Sequence, residues 1–272
     1  MTVHITGHRA GFAPGVTDIT SFADPDEPTA LGLAVMVLRA GEEHTAIAAN
    51  ETAYLLMSGA ATVTVDNRRL DLNRSSLFDD GPSCVHIAAG TAIRIDAREP
   101  TELTVYRCAN QKRFAAAIYL PRDTTDEQRG KGQVGGTCLR LVRTIFDRTR
   151  ADANAELVLG EVITLPGRWS SYPPHHHPQP EIYHYRFTHP QGYGHAEHGE
   201  HVFKVRQNDT VKILAGSDHA QCAAPGYGMY YAWVIRHLPG NPYTVPEFTA
   251  EHRWTMEKDA TIWRPKGLDK DA

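Results

Sequence analysis

His175-His-His-Pro-Gln-Pro-Glu181 is the stretch of sequence from which both the fold and the site are predicted. Successive side chains of a strand point to opposite faces, so His175 and His177 share a face while His176 points away. The two prolines that follow mark a turn, and Glu181 then begins a second strand that we expect to run back beside the first. Two imidazoles and a carboxylate are thereby brought toward one point.

A further imidazole, His219, follows the turn residues Ala215-Gly216. Three imidazoles and one carboxylate suit zinc, iron(II) or manganese. Two alternatives stay open: a histidine-rich stretch can face solvent or bind metal without function, and His176 replaces a neighbouring ligand if the strand bulges. We predict one divalent metal ion, zinc in the first place and otherwise manganese or iron, held by His175, His177, Glu181 and His219.

Composition excludes several classes of protein. The 272 residues carry a formal net charge of -4, which provides no basic field for nucleic acid or anionic lipid. The sequence contains no long uncharged apolar run of the kind that would predict a membrane helix. The four cysteines are widely spaced without a C-x-x-C motif, as is typical of buried thiols in a reducing compartment. We predict a soluble cytoplasmic protein with a small-molecule partner and neither nucleic acid nor membrane as a partner; a homo-oligomer stays open.

Short strands separated by turn residues run through the whole chain and predict an all-β protein. They include residues 53–57, 61–65, 92–95, 103–106, 139–146, 157–165, 181–187, 201–205, 210–213 and 229–235. Asp66-Asn67 lies between two such runs and predicts a hairpin. The polar stretch 121–137 separates two similar β-units, so we predict an N-terminal domain at 1–120, a linker at 121–137 and a C-terminal domain at 138–272.

The two metal-ligand motifs also carry a resemblance to a known family. Gly167-x7-His175-x-His177-x3-Glu181 and Gly216-x2-His219 resemble the two motifs of the cupin barrel. The wider segments resemble the 5-deoxy-glucuronate isomerases and the related 5-keto-4-deoxyuronate isomerases, at residues 51–66, 76–82, 166–177, 181–187, 190–192 and 224–231. This resemblance implies a bicupin of two jelly-roll β-barrels with a metal in the second barrel only.

The first half supports that division when its residues are considered alone. It contains His44 and His86 but no H-x-H motif and no carboxylate at ligand spacing. We therefore predict a metal-free N-terminal barrel. His86 lies between two apolar residues of a strand, which favours a packed or a surface position over catalysis.

The resemblance implies an intramolecular oxidoreductase of inositol catabolism, an aldose-ketose isomerase that converts 5-deoxy-glucuronate to 5-dehydro-2-deoxy-gluconate. A base must carry the proton between adjacent carbons. Period-two alternation places Tyr183 and Tyr185 on the face of Glu181, and Tyr231 is a third candidate. For the substrate carboxylate the candidate cations are Arg168, Arg186 and Lys204.

Three departures from the resembled pattern concern the site. Only Pro178-Gln-Pro180 stands where an acidic insertion is usual, residues 194–201 replace an arginine-containing segment, and Trp233 stands where asparagine is usual. They favour the alternative of an isomerase or epimerase acting on a different sugar acid. A cupin iron(II) oxygenase and a non-catalytic sugar sensor are further alternatives, since the same ligands can hold iron with open positions or a structural ion.

Overall fold

The computed structural model describes residues 2–267, and most of their regular structure is β-strand. The strands of the first half are β1 (His4–Ile5), β2 (Gly15–Thr20), β3 (Gly32–Leu38), β4 (Glu43–Ile47), β5 (Glu51–Val65), β6 (Arg68–Arg74), β7 (Cys84–Ile87), β8 (Ala92–Ala97), β9 (Thr101–Cys108) and β10 (Ala117–Tyr119). Those of the second half are β11 (Glu127–Arg129), β12 (Arg140–Phe146), β13 (Leu157–Thr164), β14 (Trp169–His176), β15 (Glu181–Phe187), β16 (Tyr193–His198), β17 (His201–Arg206), β18 (Thr210–Ile213), β19 (His219–Ala223), β20 (Met229–Arg236) and β21 (Glu247–Phe248). Short 3-10 helices span Pro121–Asp123, Gln133–Gly136 and Ala250–Met256.

In the first half, β2 to β10 form one antiparallel sheet whose longest strand is β5. The beginning of β5 pairs with β7 and β9, and the part from Gly59 onward pairs with β6 and β8. Gly59 has a φ of 90°, which favours glycine, and the Pro100 carbonyl leaves no room there for a Cβ. Both parts of β5 contribute to one apolar core, with Leu56 from the first part and Val63 from the second.

The second half consists of two sheets. One has the strand order β1-β18-β15-β20-β13-β12-β11, and the other has the order β17-β16-β19-β14-β21. The N-terminal strand β1 pairs with β18, so the start of the chain completes a sheet of the second half. The core between the two sheets includes Tyr185 and Met229 from the seven-stranded sheet and Ala196 and Ala223 from the five-stranded one.

A third apolar cluster joins the two halves. Leu55 and Tyr106 of the first half belong to it together with Leu159 and Val234 of the seven-stranded sheet. Residues that alternate with these on β13, β15 and β20 face the core of the second half instead. The seven-stranded sheet is therefore covered on one face by the first half, and its other face is directed toward the five-stranded sheet.

The all-β class predicted from the sequence is confirmed. Strands 181–187 and 210–213 have their predicted bounds, and Asp66 and Asn67, both with positive φ, connect β5 and β6 in the predicted hairpin. One prediction is wrong: β15 does not run beside β14, because the turn between them carries the chain from the five-stranded to the seven-stranded sheet.

No sheet closes on itself within the described residues, and the division into two barrels at 1–120 and 138–272 stays a prediction. The stretch predicted as a linker contains β11, which pairs with β12. Over residues 2–267, the protein has no helix with the length and apolar character that crossing a bilayer requires.

Candidate active site

Three of the four predicted metal ligands meet between the two sheets of the second half. His177 follows the end of β14 and His219 begins β19, so both come from the five-stranded sheet. Glu181 begins β15 on the seven-stranded sheet. One ligand atom from each of these residues lies within 4.8 Å of the others. The short turn from His177 to Glu181 therefore spans the gap between the sheets and brings ligands from both to one point.

The distances within this triad fit one metal ion. Nε2 of His177 lies 3.4 Å from Oε2 of Glu181, and Nε2 of His219 lies 3.6 Å from the same oxygen. These separations exceed ordinary hydrogen bonds, but two ligands of a tetrahedral zinc ion lie roughly 3.3 Å apart when each bond is about 2.0–2.1 Å long. Nε2 of His219 is buried without a hydrogen-bond partner in the described part of the chain. An orphaned acceptor of this kind is suited to a metal.

Backbone carbonyls determine which nitrogen of each imidazole faces the triad. Nδ1 of His177 donates to the carbonyl of Gln179 at 2.7 Å, and Nδ1 of His219 donates to the carbonyl of Ser217 at 3.0 Å. Because a carbonyl can only accept, Nδ1 carries the proton and Nε2 presents its lone pair toward Glu181. Burial lowers the pKa of His219, which keeps that imidazole in the neutral, metal-binding form.

His175, the fourth predicted ligand, lies beside the triad. It is the register partner of His219 on β14 and β19, and their ring centroids are 4.3 Å apart. Burial lowers the pKa of His175 to about 4, so its imidazole is neutral. His175 is not among the residues whose ligand atoms all lie within 4.8 Å of one another, so its role as a metal ligand stays a prediction. His176 has its Nδ1 2.7 Å from the carboxylate of Asp218, away from the triad, in agreement with strand alternation.

A cavity of about 630 Å³ opens beside the triad. Two of the candidate site residues, Tyr183 and Tyr231, line it. Tyr185 is on the same face of β15 as Tyr183 but lies in the core, where its hydroxyl donates to Oε1 of Gln221 at 2.6 Å. Of the three predicted tyrosines, two therefore reach the cavity and Tyr185 does not.

Serine hydroxyls connect the two cavity tyrosines. Oγ of Ser171 lies 3.0 Å from the hydroxyl of Tyr231 and 3.5 Å from that of Tyr183, and the Tyr231 hydroxyl donates to Oγ of Ser170 at 3.1 Å. Ser171 has a φ of 51°, an uncommon conformation for serine. Burial raises the pKa of Tyr183 and raises the pKa of Tyr231 to about 12. Both phenols are protonated at neutral pH, which suits proton donors better than the base predicted from the sequence.

The three cations predicted to hold a substrate carboxylate lie away from the cavity. Nη1 of Arg168 donates to a backbone carbonyl, Arg186 pairs with Glu102 of the first half at 2.6 Å, and Nζ of Lys204 stands 4.0 Å above the ring of Tyr193. Arg186 is on the face of β15 opposite Glu181, because the two positions differ by an odd number. The structure thus gives no support to these three as carboxylate partners.

The cavity wall includes residues that the sequence did not predict as site residues, among them Arg140 on β12 and Tyr243 in the loop after β20; Trp233 on β20, noted in the sequence only as a departure from the resembled pattern, lines it too. Arg140 and Trp233 follow the period-two pattern of their strands, but the pattern identifies them only once the sheet face is known. Tyr243 lies 5.0 Å from His177 between ring centroids, and its irregular loop carries no periodic signal.

His86 of the first half is packed rather than at the surface, the two positions that the sequence left open. Its Nε2 lies 2.8 Å from Oε1 of Glu51, and its ring stacks on Phe146 of the second half at 4.2 Å between centroids. Glu51 also accepts hydrogen bonds from Asn110 and from the backbone N–H of Leu157. This buried group therefore belongs to the contact between the two halves.

An all-β fold in which histidines and a glutamate meet between two facing sheets defines a cupin-like protein. The fold matches the Cupin 2 conserved barrel domain protein from Leptotrichia buccalis with a TM-score of 0.53, at 15% sequence identity over 86% of this chain and 95% of that one. It matches an IolB-like protein from Salmonella typhimurium LT2 with a TM-score of 0.82, at 22% identity over 94% of this chain and 100% of that one.

The sequence comparisons go further than the fold. A relative from Shouchella clausii, named 5-deoxy-glucuronate isomerase, is 27% identical over 229 residues, which is 76% of this chain and 80% of the relative. The KduI/IolB family model matches residues 8–255. This chain belongs to the KduI/IolB family and is an isomerase.

Proposed function

We propose that this isomerase converts 5-deoxy-glucuronate to 5-dehydro-2-deoxy-gluconate, an aldose-ketose isomerisation of inositol catabolism, with one divalent metal ion. The observation that carries the proposal is the convergence of two imidazole Nε2 atoms on one oxygen of Glu181 beside a cavity. The name of the Shouchella clausii relative supports the substrate. The facing sheets of the second half support a bicupin arrangement in which the site lies in the second barrel.

His177, Glu181 and His219, with His175 as the fourth ligand, would hold zinc, or otherwise manganese or iron. When bound, such an ion polarises a carbonyl and stabilises negative charge on neighbouring oxygens. The cavity wall would add hydrogen bonds to the substrate oxygens. The protonated hydroxyl of Tyr183 would donate to a substrate oxygen, and that of Tyr231 would do so by turning its single proton away from Oγ of Ser170; Ser171 lies beside both hydroxyls.

The proposal is tested by proton NMR of metal-loaded protein with 5-deoxy-glucuronate in deuterated water. The expected result is formation of the 2-deoxy-5-keto acid with deuterium at the receiving carbon. A His177→Ala variant prepared in parallel should show no conversion, since it lacks one ligand. If the wild type binds metal stoichiometrically yet leaves this substrate unchanged with zinc, manganese and iron, the substrate assignment is wrong.

A second candidate is the isomerisation or epimerisation of a different sugar acid at the same site. Trp233 favours it, because the indole occupies the cavity wall opposite Gly160. A Cβ at position 160 would lie 2.3 Å from Cζ2 of the indole, so the indole fits in this position only because residue 160 is glycine. Turnover of a panel of uronates by the wild type and by Trp233→Asn tests this second candidate. The candidate requires that the wild type convert one of these uronates faster than 5-deoxy-glucuronate, and that Trp233→Asn convert that uronate more slowly than the wild type does.

A further inference from the structure

Arg140 differs from the buried arginines of this protein in having no carboxylate partner. Within residues 2–267 three arginines are buried, and each is paired: Arg74 with Glu161, Arg143 with Asp126 and Arg186 with Glu102. Arg140 is partly buried, and its Nη1 donates to the backbone carbonyl of Cys138 at 3.1 Å. Across the part of the chain that the structure describes, no carboxylate lies within ion-pair distance of it. A guanidinium has five N–H donors, so most of its hydrogen-bonding capacity is unused.

Arg140 belongs to the wall of the cavity that holds the triad. Arg140, Val142 and Thr144 alternate along β12, and all three line this cavity. The charge of Arg140 acts on two other residues of the same wall: it adds to the burial that lowers the pKa of His175, and it opposes the burial that raises the pKa of Tyr231. Burial in turn lowers the pKa of Arg140 itself. The cation is therefore partly withdrawn from water and close to the groups proposed for the reaction.

Two other arginines line the same cavity and are weaker candidates for an anion partner. Arg129 is already paired with Glu127 at 2.9 Å. Arg148 is exposed, so water competes for its donors. Arg140 combines partial burial with free donors, and a charge-assisted hydrogen bond contributes most in such surroundings.

We propose that Arg140 is the residue that binds the carboxylate of the sugar acid and so selects acidic over neutral sugars. This inference rests on the proposed function for the position of the substrate in the cavity. The planar guanidinium matches a carboxylate with two parallel hydrogen bonds, whereas a neutral amide offers only one acceptor oxygen and no charge. The anchor would hold one end of an extended sugar acid, and the metal triad would face the other.

The test is calorimetric binding of D-glucuronate and of its neutral counterpart D-glucuronamide to zinc-loaded protein, which requires no turnover. We expect the wild type to bind glucuronate more tightly than glucuronamide. Arg140→Gln should weaken glucuronate binding about 10- to 100-fold, the range for loss of hydrogen bonds to a charged group, and remove the preference. Arg140→Lys should fall between the two because it retains the charge without the fork. Arg168→Gln is the matched control, since Arg168 also bonds a backbone carbonyl but lies outside the cavity.

Each outcome decides the proposal. The proposal is overturned if Arg140→Gln still distinguishes the two ligands as the wild type does. If the glutamine variant fails to fold, the same result in Arg140→Lys overturns it. A wild type that binds both ligands equally also overturns it. An equal loss in Arg168→Gln overturns it as well, because a general loss of positive charge would then explain the effect. If Arg140→Gln loses the preference while the wild type leaves 5-deoxy-glucuronate unchanged, the carboxylate anchor stands and the substrate proposal fails.

Discussion

The guanidinium of Arg74 and the carboxylate of Glu161 form a two-point ion pair, with nitrogen-oxygen distances of 2.6 and 2.9 Å and both side chains completely buried. Arg74 ends β6 in the first half, and Glu161 lies on β13 in the second. The hydroxyl of Tyr230 donates to the same carboxylate at 2.6 Å. One buried polar network therefore holds the two halves in a single relative position.

Arg74→Met should lower the free energy of unfolding by about 3 kcal/mol, because it removes the two-point partner of the buried Glu161 carboxylate and leaves only Arg143, whose Nη1 lies 3.7 Å away. Arg39→Met, which removes an exposed pair with Glu42, should cost much less, because water screens that pair. Urea unfolding of both variants measures the difference. The double variant Arg74→Met with Glu161→Met should be more stable than Arg74→Met alone; a double variant that is less stable contradicts the argument from the uncompensated charge.

Gly59→Ala should be strongly destabilising, because a Cβ there would lie 2.1 Å from the carbonyl oxygen of Pro100. Gly226→Ala is the matched control: its φ of 87° is close to the 90° of Gly59, but no atom lies within 4 Å of the added Cβ. The control should lose about 1–2 kcal/mol for the left-handed backbone alone, and Gly59→Ala should lose roughly a further 1–3 kcal/mol for the clash. Equal losses in thermal or urea unfolding would mean that the sheet shifts to admit the methyl group.

Asp209 should make stability depend on acid pH. Its buried carboxylate accepts hydrogen bonds from Arg9 and lies 2.8 Å from Nε2 of His4, which ties the N-terminal segment to the second half. Burial alone would raise the pKa of Asp209, but the hydrogen bonds from Arg9 and His4 outweigh it and the pKa is lowered. The carboxylate of Asp209 therefore binds its proton more tightly in the unfolded state than in the folded state. The stability that the charged carboxylate contributes is complete above its unfolded pKa of roughly 3.9, and it is lost as the pH falls through its folded pKa.

Asp209→Asn should accordingly be less stable than the wild type at neutral pH, by an amount that shrinks as the pH falls below about 4. Urea unfolding at a series of pH values measures the gap. Asp259→Asn, at an exposed position, should leave the curve unchanged. A stability gap between wild type and Asp209→Asn that stays constant over the acid range would show that the ion pair is not the cause.

His219→Ala should abolish metal binding, because it removes one of the two imidazoles whose Nε2 atoms face Glu181. His176→Ala should retain the metal, since that imidazole is directed to Asp218 instead. Metal content after dialysis, determined by elemental analysis, distinguishes the two variants, and chelation of the wild type should abolish its isomerase activity. Equal metal content in both variants would refute the site.

Tyr231→Phe should lower kcat by about 10²- to 10⁴-fold, the usual contribution of a positioned proton donor. Tyr185→Phe provides the comparison, because Tyr185 is the register partner of Tyr231 on the neighbouring strand but bonds Gln221 outside the cavity. Its loss should appear in stability rather than in kcat. If both variants retain wild-type kcat, neither hydroxyl takes part in the reaction.

The sequence by itself determined the features that depend on neighbouring residues. Alternation within one strand put Glu181, Tyr183 and Tyr185 on one face and Arg186 on the other, and the Asp66-Asn67 turn specified the register of β5 with β6. The ligand motifs, set by short spacing, singled out the residues of the triad. These are local properties because pleating and turn geometry act over two to four residues.

Only the tertiary structure decided which strands share a sheet and what each face contacts. It placed β14 opposite β15 rather than beside it, made His175 the register partner of His219, and brought Arg140 to the triad cavity while Arg168, Arg186 and Lys204 went elsewhere. Such pairings join residues far apart in the chain, and their register depends on which apolar faces are buried together. That choice is a property of the whole packed molecule, which no single segment of the sequence contains.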